Sequence, residues 1–230
     1  MKSAQVKSIA IIVLLFGGLG WYFTGGISLP DFDFNSIKEK FSSNKSTSKT
    51  TTNKTKSNRK SSNSKYNTGQ VIDSYKGVKV YFNGNVTNVS GRNLTKDGYN
   101  LGLKYQCVEF AKRFYYEAYK HKMTDSYGHA KDFFDNSLGD GQLNRARDMY
   151  QFRNGSREKP KADDLVVIGP SSYNSFGHLF IVTKVTSDAV EFVQQNPGSG
   201  NPSRGRFPLV KSNGTFTINA DDVVGWLRMG

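Results

Sequence analysis

CVEFAKRFYYEAYK, Cys107 to Lys120, is the stretch that sets the architecture. Val108, Ala111, Phe114, Ala118 and Tyr119 recur at helical spacing, which predicts a helix that opens on Cys107. Glu109 in the first turn and Lys120 in the last suit the helix dipole, and Glu109 pairs with Arg113 at i,i+4. Downstream, Leu165–Ile168, Leu179–Val185 and Val190–Gln194 read as strands, and Thr215–Ile218 and Val223–Arg228 add one or two more. Upstream, Val78–Phe82 alternates and runs into Asn83-Gly84, a hairpin-type turn signal. The Gly/Asn-rich Asn85–Leu103 reads as a loop, and a second helix is expected around His129–Asn136. A helix early and a run of strands later is the α+β pattern. There is no internal repeat.

The rest of the chain is organised by composition. The formal charge is +13, but residues from Tyr66 onward carry 21 basic and 16 acidic side chains, so much of the excess lies before them. Ser8 to Pro30 holds no charged residue, and roughly 20 apolar residues span a bilayer. Lys2 and Lys7 precede this run and Asp31 and Asp33 follow, which places the N-terminus in the cytoplasm. The expected order is a short cytoplasmic N-terminus (1–7), a transmembrane signal anchor (8–30), a Ser/Thr/Asn/Lys-rich linker (31–69) and a catalytic domain (70–230). A cleaved signal peptide is the alternative, with Thr24-Gly25-Gly26 a poor match to a cleavage site. Either option delivers the domain outside the cytoplasm, on the outer side of the membrane or secreted. Ser42–Lys65 consists solely of Ser, Thr, Asn, Lys and Arg, and such a segment has nothing to bury. Its seven positive charges lack the interleaved aromatics that stack on bases, so no specific nucleic-acid partner is expected.

Cys107 is the sole cysteine, which excludes an intramolecular disulfide framework. In a helix first turn, unpaired backbone N–H groups and the dipole favour a thiolate and offer one side of an oxyanion hole. A nucleophilic thiol needs a base and a group that orients the base. Three histidines are available. His121 follows a helix end, where interaction with the helix C-terminus accounts for it. His129 has a structural or substrate-lining setting. His178 follows Gly177 and opens an apolar strand, so a rigid scaffold holds it at a loop. An antiparallel hairpin with Val190–Asn196 returns Gln194 and Asn196 to the level of His178, and strand alternation puts both on one face. Either amide oxygen can accept the second imidazole N–H. Asp163-Asp164 reads as a loop-to-strand transition rather than paired acids for glycoside cleavage. No Cys/His or His/His spacing points to zinc, and no cofactor is expected.

In order along the chain, Tyr105-Gln106-Cys107-Val108-Glu109-Phe110, Asp163-Asp164-Leu165-Val166-Val167, Gly177-His178-Leu179-Phe180-Ile181-Val182 and Gln194-Gln195-Asn196 resemble a CHAP domain. The name denotes a cysteine, histidine-dependent amidohydrolase/peptidase of the NlpC-like, papain-related superfamily. The resemblance runs from Val78 to Arg228. It implies a papain-like α+β core with the cysteine on a helix N-terminus against an antiparallel sheet that carries the histidine. It further implies hydrolysis of amide bonds, most often in peptidoglycan, with a smaller set of relatives cleaving glutathionylspermidine. Cys107 and His178 then form the catalytic pair. The family commonly shows Glu-Gln-Asn where this chain has Gln194-Gln195-Asn196, so Gln194 becomes the orienting group. Asn196 either substitutes for it or polarises the scissile carbonyl. Tyr105, Gln106 and Gly177 are candidates for contacts to substrate or oxyanion. The expected activity is a membrane-anchored cysteine amidase or endopeptidase acting on peptidoglycan. The alternatives are an amidase for a soluble conjugate and a degenerate domain that binds wall or a partner. Nothing in the sequence indicates an oligomeric state.

Overall fold

The periodicity that opens on Cys107 folds as helix, but the elements before it are strands. They are β1 (Val71–Tyr75), β2 (Val78–Tyr81), β3 (Arg92–Leu94) and β4 (Asn100–Leu103), and then α1 covers Cys107–Tyr119. The computed structural model describes residues 65–198 and 201–230. α1 buries Phe110, Ala111, Phe114 and Tyr115. Lys120 closes it in the left-handed region, φ 58°, where its N–H and that of His121 reach the Tyr116 and Tyr115 carbonyls.

After α1 come a 3-10 turn, Ala130–Phe133, and eight strands. These are β5 (Gln142–Asn144), β6 (Met149–Arg153), β7 (Leu165–Ile168), β8 (His178–Val185), β9 (Ala189–Gln194), β10 (Arg204–Ser212), β11 (Thr215–Ile218) and β12 (Val223–Arg228). They form one sheet in the order β11-β10-β9-β8-β7-β12-β6-β5, with every neighbouring pair antiparallel. Its central strands are buried on both faces. Leu165, Val167, Leu179, Ile181 and Leu227 pack toward α1 with Phe110 and Phe114. The residues alternating with them, Val166, Phe180, Val182 and Trp226, fill a second core with Phe192 and Phe207. β11 closes this second core by rolling back onto the segment after β6. Gly155 N–H donates to Phe216 O (2.9 Å), Phe216 N–H to Ser156 O (2.7 Å) and Ile218 N–H to Asn154 Oδ1 (2.8 Å).

These observations correct the expected fold class. The described residues form a sheet-rich structure with one α-helix and twelve strands, not the papain-like α+β core. The second helix expected at His129–Asn136 is only the single 3-10 turn, because Phe134 already adopts an extended backbone. The loop expected at Asn85–Leu103 contains β3 and β4. The hairpin at VKVYF lies upstream of its expected place. β2 pairs with β1 across Lys76-Gly77, whose positive φ values of 47° and 80° suit a tight primed turn. Among the described residues no helix is long and apolar enough to cross a membrane. The expected N-terminal segment, anchor and most of the linker (residues 1–64) lie outside the described residues.

Candidate active site

Cys107 is the first residue of α1, after the extended N-cap Gln106. It is half-buried and packs with the core side chains that α1 shares with Leu179. The backbone N–H of Leu179, and those of Val108 and Cys107 itself, donate toward the sulfur. Leu179 follows His178, so the first turn of α1 meets the start of β8 at these two residues. The helix-start argument predicts a lowered thiol pKa, and here the structure corrects it. Burial pushes the Cys107 thiol up to about 11, against the opposing pull of the three N–H groups. The first turn does favour a thiolate, but the loss of water around the sulfur outweighs it.

His178 is placed by what precedes it. Gly177 has φ 74°, and a Cβ there would lie 2.5 Å from Ile168 O and 3.0 Å from Lys131 N. Only glycine fits both the conformation and the space. Asn174 Nδ2 donates to Gly177 O (2.8 Å), which secures the loop on its other side. The imidazole Nε2 lies 2.9 Å from Gln194 Oε1. Gln194 Nε2 donates to Pro202 O (3.1 Å), so the amide oxygen is the atom that faces the ring. An amide oxygen only accepts, so Nε2 carries the imidazole proton and Nδ1 is the basic nitrogen. Burial lowers the His178 pKa to about 4, with the Gln194 hydrogen bond acting in the opposite sense. At neutral pH both members of the pair are therefore uncharged.

The remaining candidates go elsewhere. Asn196 does not share a face with Gln194, because β9 ends at Gln194 and Asn196 takes the left-handed φ 57°. Its Nδ2 donates to Gln106 Oε1 (2.7 Å) and Val86 O (3.0 Å). The Gln106 side chain is committed in turn, donating to Asn88 O (2.9 Å). Tyr105 lies against Tyr81, ring centroids 5.2 Å apart. The Gly177 N–H donates to Asn174 O (3.3 Å). The donors aimed at the sulfur are thus backbone groups, not the side chains of Tyr105 or Gln106. His129 lies tilted against the exposed Phe176, ring centroids 4.7 Å apart, and His121 Nε2 meets Arg147 O at 2.9 Å. Asp163 accepts from Tyr75 and Tyr119 (2.9 and 2.6 Å), and Asp164 is buried on Arg228. The two acids are structural and point to different partners.

Sequence reasoning missed Pro202, whose carbonyl orients Gln194, and the buried Gln195, which with Asn93 joins the expected Glu109–Arg113 pair beneath the first turn of α1. The i,i+4 spacing of Glu109 and Arg113 gave the pair itself but not the amide that joins it. Among the described residues no group of three or more His, Cys, Asp or Glu side chains is disposed to hold a metal ion.

Comparison with known proteins adds three findings. The family model of the CHAP domain matches residues 96–196. The chain is similar to the trypanothione synthetase of Crithidia fasciculata, 32% identical over 107 residues that cover 46% of this chain and 16% of that protein. It is also similar to the bifunctional glutathionylspermidine synthetase/amidase of Escherichia coli (strain K12), 29% identical over 138 residues, 55% of this chain and 22% of that protein. The chain therefore spans a minor part of the length of these relatives. Among solved structures, the endolysin LysIME-EF1 aligns over 63% of this chain and 60% of its own, with 22% identity and a TM-score of 0.35.

Proposed function

We propose, from the CHAP domain at residues 96–196 and the amidohydrolase or peptidase chemistry of that family, that this chain hydrolyses amide bonds of peptidoglycan through Cys107 and His178. The observation that carries the reading is the Nε2 contact of His178 with Gln194 at 2.9 Å. It leaves Nδ1 as the basic nitrogen, and the next residue along, Leu179, turns its N–H toward the Cys107 sulfur. In the first half-reaction the Cys107 sulfur bonds to the amide carbonyl carbon as its proton passes to His178 Nδ1. Backbone N–H groups at the start of α1 stabilise the oxyanion. The C–N bond then breaks, His178 protonates the leaving amine, and an acyl-thioester remains. In the second half, His178 takes a proton from water as its oxygen attacks the thioester. The C–S bond breaks, the thiol regains its proton, and the acid product leaves. Because the resting pair is uncharged, thiol deprotonation and carbon–sulfur bond formation proceed together, with no standing thiolate.

The place of action is the outer side of the cytoplasmic membrane, the location that the charge-free Ser8–Pro30 run implies. The test is digestion of purified muropeptides. Cys107→Ala and His178→Ala each abolish release of product while circular dichroism remains that of the wild type. Wild-type turnover by either variant would remove the pair from the chemistry. A second reading is favoured by the match to the glutathionylspermidine synthetase/amidase, which extends over 55% of this chain. In it the same pair cleaves a soluble polyamine–peptide amide. Parallel assays on muropeptides and glutathionylspermidine separate the two, since only the preferred amide is turned over at micromolar enzyme.

A further inference from the structure

Three consecutive amide side chains leave the end of β9, and each goes to a different place. Gln194 meets His178, and Asn196 turns to Gln106 and Val86. Gln195 is driven inward and is fully buried. A primary amide has two N–H donors and one oxygen with two lone pairs, and Gln195 uses all four. Its Oε1 accepts from Tyr81 N–H (2.8 Å) and the Arg113 guanidinium (3.3 Å). Its Nε2 donates to Gln106 O (3.0 Å) and Glu109 Oε2 (2.8 Å). A flipped amide would set donors against donors, so the orientation follows from the partners.

Those partners bracket the nucleophile. Gln106 is the N-cap of α1, Cys107 is its first residue and Glu109 its third. Gln195 therefore bonds the backbone on one side of Cys107 and a side chain on the other, while its strand neighbour Gln194 holds the imidazole. Glu109 is a firm anchor, buried and bonded to Arg113 at 2.6 Å and to Asn93 at 2.8 Å. We propose that Gln195 is a positioning residue that sets the reach between the Cys107 sulfur and His178 by locking the first turn of α1 to the end of β9. It touches no reacting atom. This inference rests on the Cys107–His178 reading above.

Gln195→Glu isolates the role. It keeps acceptors for Tyr81 and Arg113 but loses both donors to α1, and it sets a second carboxylate beside Glu109. The expected result, on the full chain, is a folded protein whose kcat on muropeptides falls about 10- to 100-fold with KM within about 2-fold, as for a misplacement on the order of 1 Å. The pH dependence of iodoacetamide alkylation of Cys107 shifts toward that of the His178→Ala variant. Adding Glu109→Gln relieves the carboxylate pair and restores part of kcat, even if Gln195→Met, which loses all four bonds, fails to fold. A residue of purely structural importance would lower the melting temperature and leave kcat per folded molecule and the alkylation profile unchanged, and that result overturns the inference. If the wild type cleaves no muropeptide, the substrate reading fails alone. The alkylation profile still decides on Gln195, because it needs only the thiol and the imidazole.

Discussion

Gln194 shows what a neutral hydrogen-bond acceptor does to a buried imidazole. An amide oxygen fixes the tautomer without a charge to favour the protonated ring, so burial prevails and the His178 pKa lies near 4. Gln194→Glu supplies the missing charge, and the expected effect is a rise in the His178 pKa of about 1–3 units, read by NMR titration of the imidazole. The wild-type pH profile follows from the same values. Below about 4 His178 is protonated and cannot act as base. Above about 11 Cys107 has lost the proton that the leaving amine requires. The neutral pair and the thiolate–imidazolium pair hold the same number of protons, so kcat/KM is flat between these limits whichever form reacts. A narrow bell centred near pH 6.5, measured by initial rates across that range, would refute it. The places of Cys107 at the helix start, of His178 at the strand opening and of Gln194 opposite it were legible from the sequence. The direction of the thiol shift was not. A helix N-terminus is visible in a sequence, whereas the number of core atoms around a sulfur depends on the whole fold.

At the level of elements, the start of β8 depends on Gly177, pinched between the Ile168 carbonyl and the 3-10 turn at Lys131. Gly177→Ala forces a positive φ on a residue with a Cβ and moves that carbonyl. Urea unfolding is expected to show a loss of about 1–3 kcal/mol, accompanied by lower turnover as His178 is displaced. A variant as stable and active as the wild type would show that the loop adapts freely. Apolar strands such as Leu165–Ile168 were legible because both their faces are buried. β10 was not, since Arg204, Arg206, Pro208 and Lys211 interrupt the pattern and its place is set by pairing with β9 and β11. The short, polar β3 and β5 give no periodic signal either. Asn196 is the local failure within the site: alternation holds only while the backbone stays extended, and it turns left-handed one residue after Gln195.

Across the whole molecule, the last strand, β12, lies inside the sheet, sixth of its eight strands. β12 pairs with β6 on one side and β7 on the other, and its Trp226 and Leu227 enter the two separate cores. Arg228 closes on the buried Asp164 with two contacts of 2.8 and 2.9 Å. A chain ending before Val223 loses both neighbours at once, and its NMR amide dispersion is expected to collapse. A dispersed spectrum would mean that β6 and β7 pair without β12. That interior position explains why a sheet-rich fold was read as α+β: the sequence shows where the apolar strands are, but not that the sheet rolls around a second core and, among the described residues, has α1 as its one α-helix. Both halves of the site rest on this sheet, α1 by packing on it and His178 as part of β8, and on them rests the covalent role proposed for Cys107. The direct measurement is mass spectrometry of the full chain, quenched during turnover of its amide substrate and digested to peptides. That role requires an acyl group on the peptide that contains Cys107, and no adduct and no turnover in Cys107→Ala. Turnover by Cys107→Ala, or an acyl group on another residue, would contradict it.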